Sequence, residues 1–232
     1  MGENIRLTAA DGFELGAYRA RPDGAVKGGV VVVQEIFGVN VHIRSVCDRY
    51  AEAGYLAVAP AIYDRIEPDV QLVYEPDNIT RGREIRAKAD MADVIADVAA
   101  AAENTVEGGP GGGPGGGKVG IVGYCWGGQI VYVAACRLGD KLSCASGYYG
   151  GGIVPFLGEA PAVPLMLHFG TEDDSVPLSD SEQIGEAHPE VAIHLYEGAG
   201  HGFNCDKRAS YHAEAAALAL ERTLAHFAEH LG

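Results

Sequence analysis

Residues 119–130, VGIVGYCWGGQI, decide how this chain is expected to fold. An apolar run typical of a buried strand ends at Gly123, and a helix-like stretch begins directly after Cys125. Gly123 and Gly127 flank the cysteine at the spacing of a G-x-S-x-G turn, where a strained strand-to-helix connection exposes a nucleophile. Cysteine stands at the serine position. Cys125 is therefore predicted to be a nucleophilic thiol at a helix N-terminus, where negative charge is stabilised, with an inert core thiol as the alternative.

Strand and helix patterns alternate on both sides of this turn. An opening hairpin is predicted with its turn at residues 11–12, residues 30–33 form a β-branched run typical of a strand buried on both faces, and one long alanine-rich helix is predicted over residues 83–105. Such alternation predicts an α/β protein with a mainly parallel central sheet and helices on both faces. The strand patterns are spread over the whole chain, so residues 1–232 are expected to form a single domain.

A Gly/Pro-rich run at residues 107–117 interrupts this pattern. Residues 112–118 match G-x-x-x-x-G-K, but Val119 stands where a phosphate-binding loop requires Ser or Thr. The run also follows a helix and precedes a strand, which is the reverse of the topology that such a loop needs. It is predicted to be a surface loop within the domain.

The overall charge limits the classes of partner. The formal net charge is −15, which argues against nucleic acid and anionic membranes as partners. The sequence contains no apolar run long enough to span a membrane and no signal-peptide core near its start, so a cytoplasmic location is expected. The five cysteines are an odd number, and they are expected to be free thiols. No metal site or cofactor is predicted.

The catalytic partners of such a nucleophile should follow later strands, first the acid and then the histidine. A strand pattern ending near residue 170 is followed by three carboxylates, Glu172, Asp173 and Asp174. The next strand pattern leads to His201, which lies between two glycines. His201 is therefore predicted to be the catalytic base, while the residues alone leave the choice of acid open.

Four ordered motifs together resemble the dienelactone hydrolase (carboxymethylenebutenolidase) family of the α/β-hydrolase fold: QEIFG at 34–38, GYCWGG at 123–128, G-x-x-D-x-x-V-P at 170–177 and GHGF at 200–203. The resemblance covers nearly the whole chain. It implies an α/β-hydrolase fold without a large cap domain, and a Cys-Asp-His triad that needs no cofactor. Aligning the third motif selects Asp173 as the acid, with Asp174 as the fallback.

The resemblance also implies roles for residues near the first buried strand. Glu35 would contact the thiol at rest and take part in its activation when substrate binds. The backbone amides of Ile36 and Trp126 would form the oxyanion hole. The positions of Phe37, Tyr63 and Tyr148 at the ends of strand patterns predict that these aromatic residues line the pocket, with packing in the core as the alternative.

Two arginines would hold a substrate carboxylate in this family. Arg81, with Arg83 as its rival, precedes the long helix pattern. The second arginine should lie four residues after His201, but Cys205 stands there, and the nearest arginine is Arg208.

The predicted function is hydrolysis of a small lactone or ester, such as a carboxylated dienelactone, through a thioester acyl-enzyme. A general carboxylesterase or thioesterase of the same fold is the first alternative. A non-catalytic ligand-binding protein or a redox protein is the second, although no C-x-x-C pair surrounds Cys125. The only partner expected is a small-molecule substrate, and the chain is expected to be a monomer or a small homo-oligomer.

Overall fold

The computed structural model of the chain describes residues 2–105 and 117–232. The predicted surface loop at 107–117 lies outside the described residues, apart from Gly117.

One sheet of eight strands forms the centre of the described structure. The strands are β1 (Glu3–Thr8), β2 (Glu14–Ala20), β3 (Gly29–Val33), β4 (Leu56–Pro60), β5 (Val119–Tyr124), β6 (Cys144–Tyr148), β7 (Leu165–Gly170) and β8 (Ala192–Tyr196). Their order in the sheet is β1-β2-β4-β3-β5-β6-β7-β8. The first strand pairs antiparallel with the second, the second pairs antiparallel with the fourth, and all other pairs are parallel. The mainly parallel sheet and the opening hairpin are as predicted.

Helices cover both faces of this sheet. They are α1 (Val41–Glu52), α2 (Pro76–Arg86), α3 (Met91–Thr105), α4 (Trp126–Arg137), α5 (Leu178–Ala187) and α6 (Ala213–Leu231). Side chains of α1 and α6 pack in one apolar cluster, and those of α2, α3, α4 and α5 pack in the other. Within β3, Val30 and Val32 face the first cluster, while Val31 and Val33 face the second. The strand is therefore uniformly apolar because both of its faces are buried.

The long helix predicted over residues 83–105 is two helices. The first, α2, begins at Pro76 and ends at Arg86, and α3 begins at Met91. Between them, the Asp90 side chain accepts a hydrogen bond from the amide of Ala92 at 2.7 Å. An aspartate bonded to a first-turn amide favours a new helix start, so one helix ends and the next begins here despite the helix-forming composition.

No helix in residues 2–105 or 117–232 is long and apolar enough to cross a membrane. Between β4 and β5 the described residues form α2 and α3, and no separate cap domain is present among them.

We predict that Gly123→Ala destabilises the protein. A Cβ atom at this position would lie 2.2 Å from the carbonyl oxygen of Gly127, a contact that requires β5 and α4 to separate. The free energy of unfolding should fall by about 2 kcal/mol or more, the usual cost of overpacking a rigid site. Urea denaturation followed by circular dichroism measures it.

Gly24→Ala is the matched control, because a Cβ atom at Gly24 meets nothing within 4 Å. Its free energy of unfolding should stay within about 0.5 kcal/mol of the wild type. Equal stability of the two variants would show that the β5–α4 approach is not rigid.

Candidate active site

Cys125 occupies a strained turn between β5 and α4. Its backbone dihedrals are φ 55° and ψ −117°, a region that non-glycine residues rarely adopt. Two hydrogen bonds hold the turn: the Cys125 amide donates to the Tyr148 carbonyl at 3.0 Å, and the Gly128 amide donates to the Cys125 carbonyl at 2.9 Å. The thiol is thereby held at the carboxyl edge of the sheet and is partly exposed.

Close packing of glycines brings α4 onto the neighbouring strand. A Cβ atom at Gly127 would lie 2.6 Å from the carbonyl oxygens of both Val33 and Gln34. The first turn of α4 therefore lies directly against the end of β3. Its amides and its positive dipole end face the space in front of Cys125.

The structure brings Cys125, His201 and Asp173 together in one hydrogen-bonded chain. Nε2 of His201 lies 3.2 Å from the Cys125 Sγ, and its Nδ1 lies 2.9 Å from Oδ2 of Asp173. The other oxygen of Asp173 accepts the amides of Ser175 and Val176, at 2.7 and 3.0 Å. These bonds orient the imidazole with one nitrogen on the acid and the other on the thiol.

The choice among the three adjacent carboxylates follows from burial. Asp173 is buried beneath His201, whereas Glu172 and Asp174 are exposed. The amide of Glu172 donates to the carbonyl of Ala199 at 3.0 Å, which joins the acid loop to the histidine loop. This tie places the fourth residue of the third motif, and not its neighbours, against the histidine.

The surroundings of His201 favour its protonated form. Burial opposes the charge on the ring, but the hydrogen bonds to Asp173 and Cys125 outweigh burial and raise the pKa of His201 to about 10. The ring edge packs against Tyr149, with the ring centroids 5.2 Å apart. His201 is therefore suited to accept a proton from the neighbouring thiol.

Glu35 is fully buried near the three hydrogen-bonded side chains but forms no hydrogen bond with any of them. The Tyr74 hydroxyl donates to its Oε2 at 2.6 Å, and Nη1 of Arg208 lies 3.4 Å from its Oε1. No hydrogen bond joins Glu35 to Cys125, which is bonded to His201. The arrangement thus differs from the resting contact that the resemblance implies, because Tyr74 and Arg208 hold the carboxylate instead.

Two backbone amides are available in front of the thiol. Neither the Ile36 amide nor the Trp126 amide donates a hydrogen bond to another described residue. Trp126 is the first residue of α4, and both residues line the cavity that contains Cys125. The geometry is compatible with the predicted oxyanion hole.

A cavity of about 430 Å³ opens above Cys125. Three arginines and no carboxylate line it within the described chain, although the protein as a whole is strongly acidic. Its lining residues are Ile36, Phe37, Ile79, Arg83, Arg86, Cys125, Trp126, Gly151, Gly152, Ser175, Val176, His201 and Arg208.

Three residues predicted to contact substrate do not line this cavity. Arg81 points elsewhere on α2 and forms an ion pair with Glu67 at the surface. Tyr63 is buried and stacks on Trp126, with ring centroids 5.4 Å apart. Tyr148 is buried in the core, and its carbonyl group accepts a hydrogen bond from the Cys125 amide. Phe37, Arg208 and the rival Arg83 do line the cavity.

Sequence reasoning missed two residues that shape the site, Arg86 and Tyr74. Arg86 lies three positions after Arg83, so the two belong to one side of a helix, and this R-x-x-R spacing was the available signal. Tyr74 lies in a stretch without a repeating pattern, and only the fold brings it to Glu35.

One group of side chains next to the site has the composition of a metal site. The donor atoms of His42, Cys205 and Asp206 all lie within 4.8 Å of one another. The Lys207 ammonium lies 3.2 Å from Asp206 and competes for that carboxylate. Neither the thiol nor the histidine of the hydrogen-bonded chain belongs to this group.

We predict that Asp173→Asn lowers the pKa of His201. The carboxylate stabilises the imidazolium, and the neutral amide does so less, so the pKa should fall from about 10 by about one unit or more. The pKa of His201 in the folded protein lies above the ordinary value of 6.5, so the imidazolium charge stabilises the wild-type fold, and this stabilisation is fully present below pH 6.5. The stabilisation is lost as the pH rises through about 10.

NMR titration of the His201 ring, with urea unfolding at both pH limits, measures the pKa and the stability. Asp174→Asn is the control: its exposed carboxylate does not contact the ring, so the titration should not move. An unchanged His201 titration in Asp173→Asn would contradict the assignment.

Known proteins of one family are similar to this chain over most of its length. A Pseudomonas putida carboxymethylenebutenolidase is 36% identical over 227 residues, covering 96% of this chain and 94% of that protein. A Synechocystis protein provisionally named carboxymethylenebutenolidase is 39% identical over 207 residues, covering 83% and 82%. A Klebsiella pneumoniae structure provisionally named dienelactone hydrolase superposes with a TM-score of 0.82, at 33% identity and 99% coverage of both chains. The model of the dienelactone hydrolase family matches residues 15–231, and the chain belongs to that family.

Proposed function

We propose that this chain hydrolyses the lactone or ester bond of a small carboxylated substrate, with a dienelactone as the first compound to test. The observation that supports the proposal most directly is the hydrogen-bonded chain from Asp173 through His201 to Cys125. This chain ends, at Cys125, in a cavity lined by arginines. Membership of the dienelactone hydrolase family supports the same reaction class.

The first half of the reaction forms a thioester. His201 Nε2 accepts the thiol proton of Cys125, and the sulfur attacks the carbonyl carbon of the substrate. The amides of Ile36 and Trp126 stabilise the negative charge that develops on the carbonyl oxygen. When the carbon–oxygen bond of the lactone or ester breaks, the imidazolium of His201 donates this proton to the leaving oxygen.

The second half releases the acid. A water molecule gives a proton to His201 while its oxygen attacks the thioester carbonyl, and the intermediate collapses to a carboxylic acid. The sulfur leaves and regains its proton from the imidazolium. Asp173 remains ionised throughout; it orients the imidazole and stabilises its charge.

Glu35 has a positioning role in this scheme. Its charge is balanced by Arg208 and bonded to Tyr74 while the thiol faces His201. Held in this way, the carboxylate leaves the proton transfer to the histidine. A substrate carboxylate that binds Arg208 competes with Glu35 for the guanidinium group. Substrate binding would in this way change the partners of the Glu35 carboxylate, which lies near Cys125.

The cationic side chains of the cavity fit a carboxylated substrate. Arg208 and Arg83 both line it, and planar guanidinium groups bind carboxylates through paired hydrogen bonds. A strongly acidic surface repels anions in general, but the field inside a narrow cavity is set by the charges that line it. We therefore propose that these two arginines bind the substrate carboxylate.

The proposed machinery fits a reducing compartment. Every cysteine in the described chain is free, and a nucleophilic thiol must stay reduced to act. We propose a cytoplasmic location for this reason. All the residues named in the proposed mechanism come from one chain.

Cys125→Ala should abolish hydrolysis of both a dienelactone and p-nitrophenyl acetate. Removing the nucleophile should lower kcat by about 10³-fold or more, because the remaining groups cannot form the thioester. Cys125→Ser should retain trace activity, since the geometry is kept and the nucleophile is weaker. Steady-state assays measure these rates, and electrospray mass spectrometry of stopped reactions detects the acyl-enzyme.

Cys136→Ser is the matched control, because this thiol bonds to the Glu159 carbonyl away from the cavity and serine can make the same bond. It should keep wild-type kcat. Full turnover by Cys125→Ala would exclude the mechanism. Faster turnover of p-nitrophenyl acetate than of the dienelactone by the wild type would favour a general esterase.

A further inference from the structure

We propose that Arg86 forms a second anion subsite, separate from the site of Arg208, and that the substrate carries two carboxylates besides the bond that is cleaved. This inference rests on the proposed function and narrows its substrate class to lactones or esters of polycarboxylic acids. Three observations support it. Arg86 is held in a fixed position, Arg86 and Arg208 are held by different parts of the fold, and the cavity is lined by arginines without a carboxylate among the described residues.

Arg86 is held in place by neutral groups. Its Nη2 donates to Oε1 of Gln129 at 3.1 Å, and Nε2 of the same glutamine donates to the Gly152 carbonyl at 2.6 Å. A Cβ atom at Gly152 would lie 2.9 Å from that nitrogen, so only glycine allows the approach. Gln129 is buried and uses both ends of its amide in this way. The guanidinium is thus oriented without being neutralised.

The Arg86 subsite lies on the Trp126 side of the nucleophile. The guanidinium carbon is 5.8 Å from the centre of the Trp126 ring, and Tyr63 stacks on the same ring. Trp126 directly follows Cys125 in the chain. An anion on Arg86 would therefore lie near the ring of Trp126, whose amide belongs to the proposed oxyanion hole.

Arg208 is supported by other parts of the fold. It contacts Glu35, and it packs so closely on Gly202 that a Cβ atom there would lie 2.5 Å from its Nη1. Gly202 directly follows His201. Arg208 is thus fixed on the histidine side of the nucleophile and Arg86 on the tryptophan side. Two guanidinium groups that are anchored separately in the same cavity fit two anionic groups better than one.

The charges of the cavity support the same conclusion. Glu35 faces Arg208, but neither Arg83 nor Arg86 forms an ion pair with any carboxylate in the described structure. Arg83 is exposed, so water solvates it, whereas Arg86 is half-buried. One substrate carboxylate at Arg208 and Arg83 leaves the charge of Arg86 without a partner in a partly desolvated cavity. A second carboxylate supplies that partner and matches the planar guanidinium.

Competitive inhibition of p-nitrophenyl acetate hydrolysis tests the subsite. Butyrate, a monocarboxylate, is compared with succinate, glutarate and adipate, whose two carboxylates lie at increasing separations. In the wild type the best dicarboxylate should bind about tenfold more tightly than butyrate, because it adds a hydrogen bond between charged groups. Arg86→Met should abolish this preference while butyrate binding changes less than twofold.

Arg81→Met is the matched control. Arg81 lies on the same helix, but it pairs with Glu67 outside the cavity, so its loss removes the same charge from the protein without touching the subsite. This variant should keep the tenfold preference. Arg86→Met should fold, since methionine retains the apolar stem of the half-buried arginine, and far-UV circular dichroism verifies it.

Two results would overturn the proposal. A wild type without a preference for dicarboxylates has no second subsite, and an equal loss of butyrate and dicarboxylate binding in Arg86→Met means that all the arginines serve one anion. Calorimetric titration of the same acids into Cys125→Ala measures the preference without catalysis. A failure of the proposed hydrolysis is therefore distinguishable from a failure of the subsite.

Discussion

The backbone conformation of Cys125 is the constraint on which the site depends. Holding a non-glycine residue at φ 55° and ψ −117° costs on the order of 1–3 kcal/mol, and the surrounding packing must supply that energy. It does so through the approach of α4 to β5 and β3, which Gly123 and Gly127 permit. The direction of the thiol, the free amide of Trp126 and the orientation of the helix dipole are three consequences of this one turn.

The close packing of Gly82 fixes α2, whose residues line the cavity. A Cβ atom at Gly82 would lie 2.3 Å from the Ile36 carbonyl oxygen, so α2 packs directly on the loop that follows β3. The Tyr63 hydroxyl lies within hydrogen-bond distance of the carbonyl oxygens of both Ile36 and Gly82, at 3.3 and 3.2 Å, and shares its one proton between them. With Gly82 facing this loop, Arg83 and Arg86 line the cavity. These contacts fix α2 against the loop after β3. The loop supplies the Ile36 amide of the proposed oxyanion hole, and α2 supplies two of the cavity arginines.

The charges follow from this arrangement. The chain is acidic overall, yet the buried Glu35 lies behind Arg208, and the cavity itself is lined by arginines without a carboxylate in the part of the chain described. The charge of His201 is stabilised by Asp173 below it and by the thiol beside it. The fixed positive groups that line the cavity therefore favour the anionic substrate proposed above.

The amino-acid sequence by itself determined the alternation of strands and helices, the strained turn at Cys125 and the order of its partners along the chain. These features are local: glycine spacing, apolar runs and loop composition fix them within a few residues. Contacts between distant segments were decided only by the tertiary structure. The placement of Asp173 against His201 depends on a hydrogen bond between two loops. The choice of arginine shows the physical reason most clearly. Successive residues of a helix point about 100° apart, so the packing of Gly82 directs Arg81 to the surface and Arg83 and Arg86 to the cavity. No local pattern in the sequence records which face of the helix is covered.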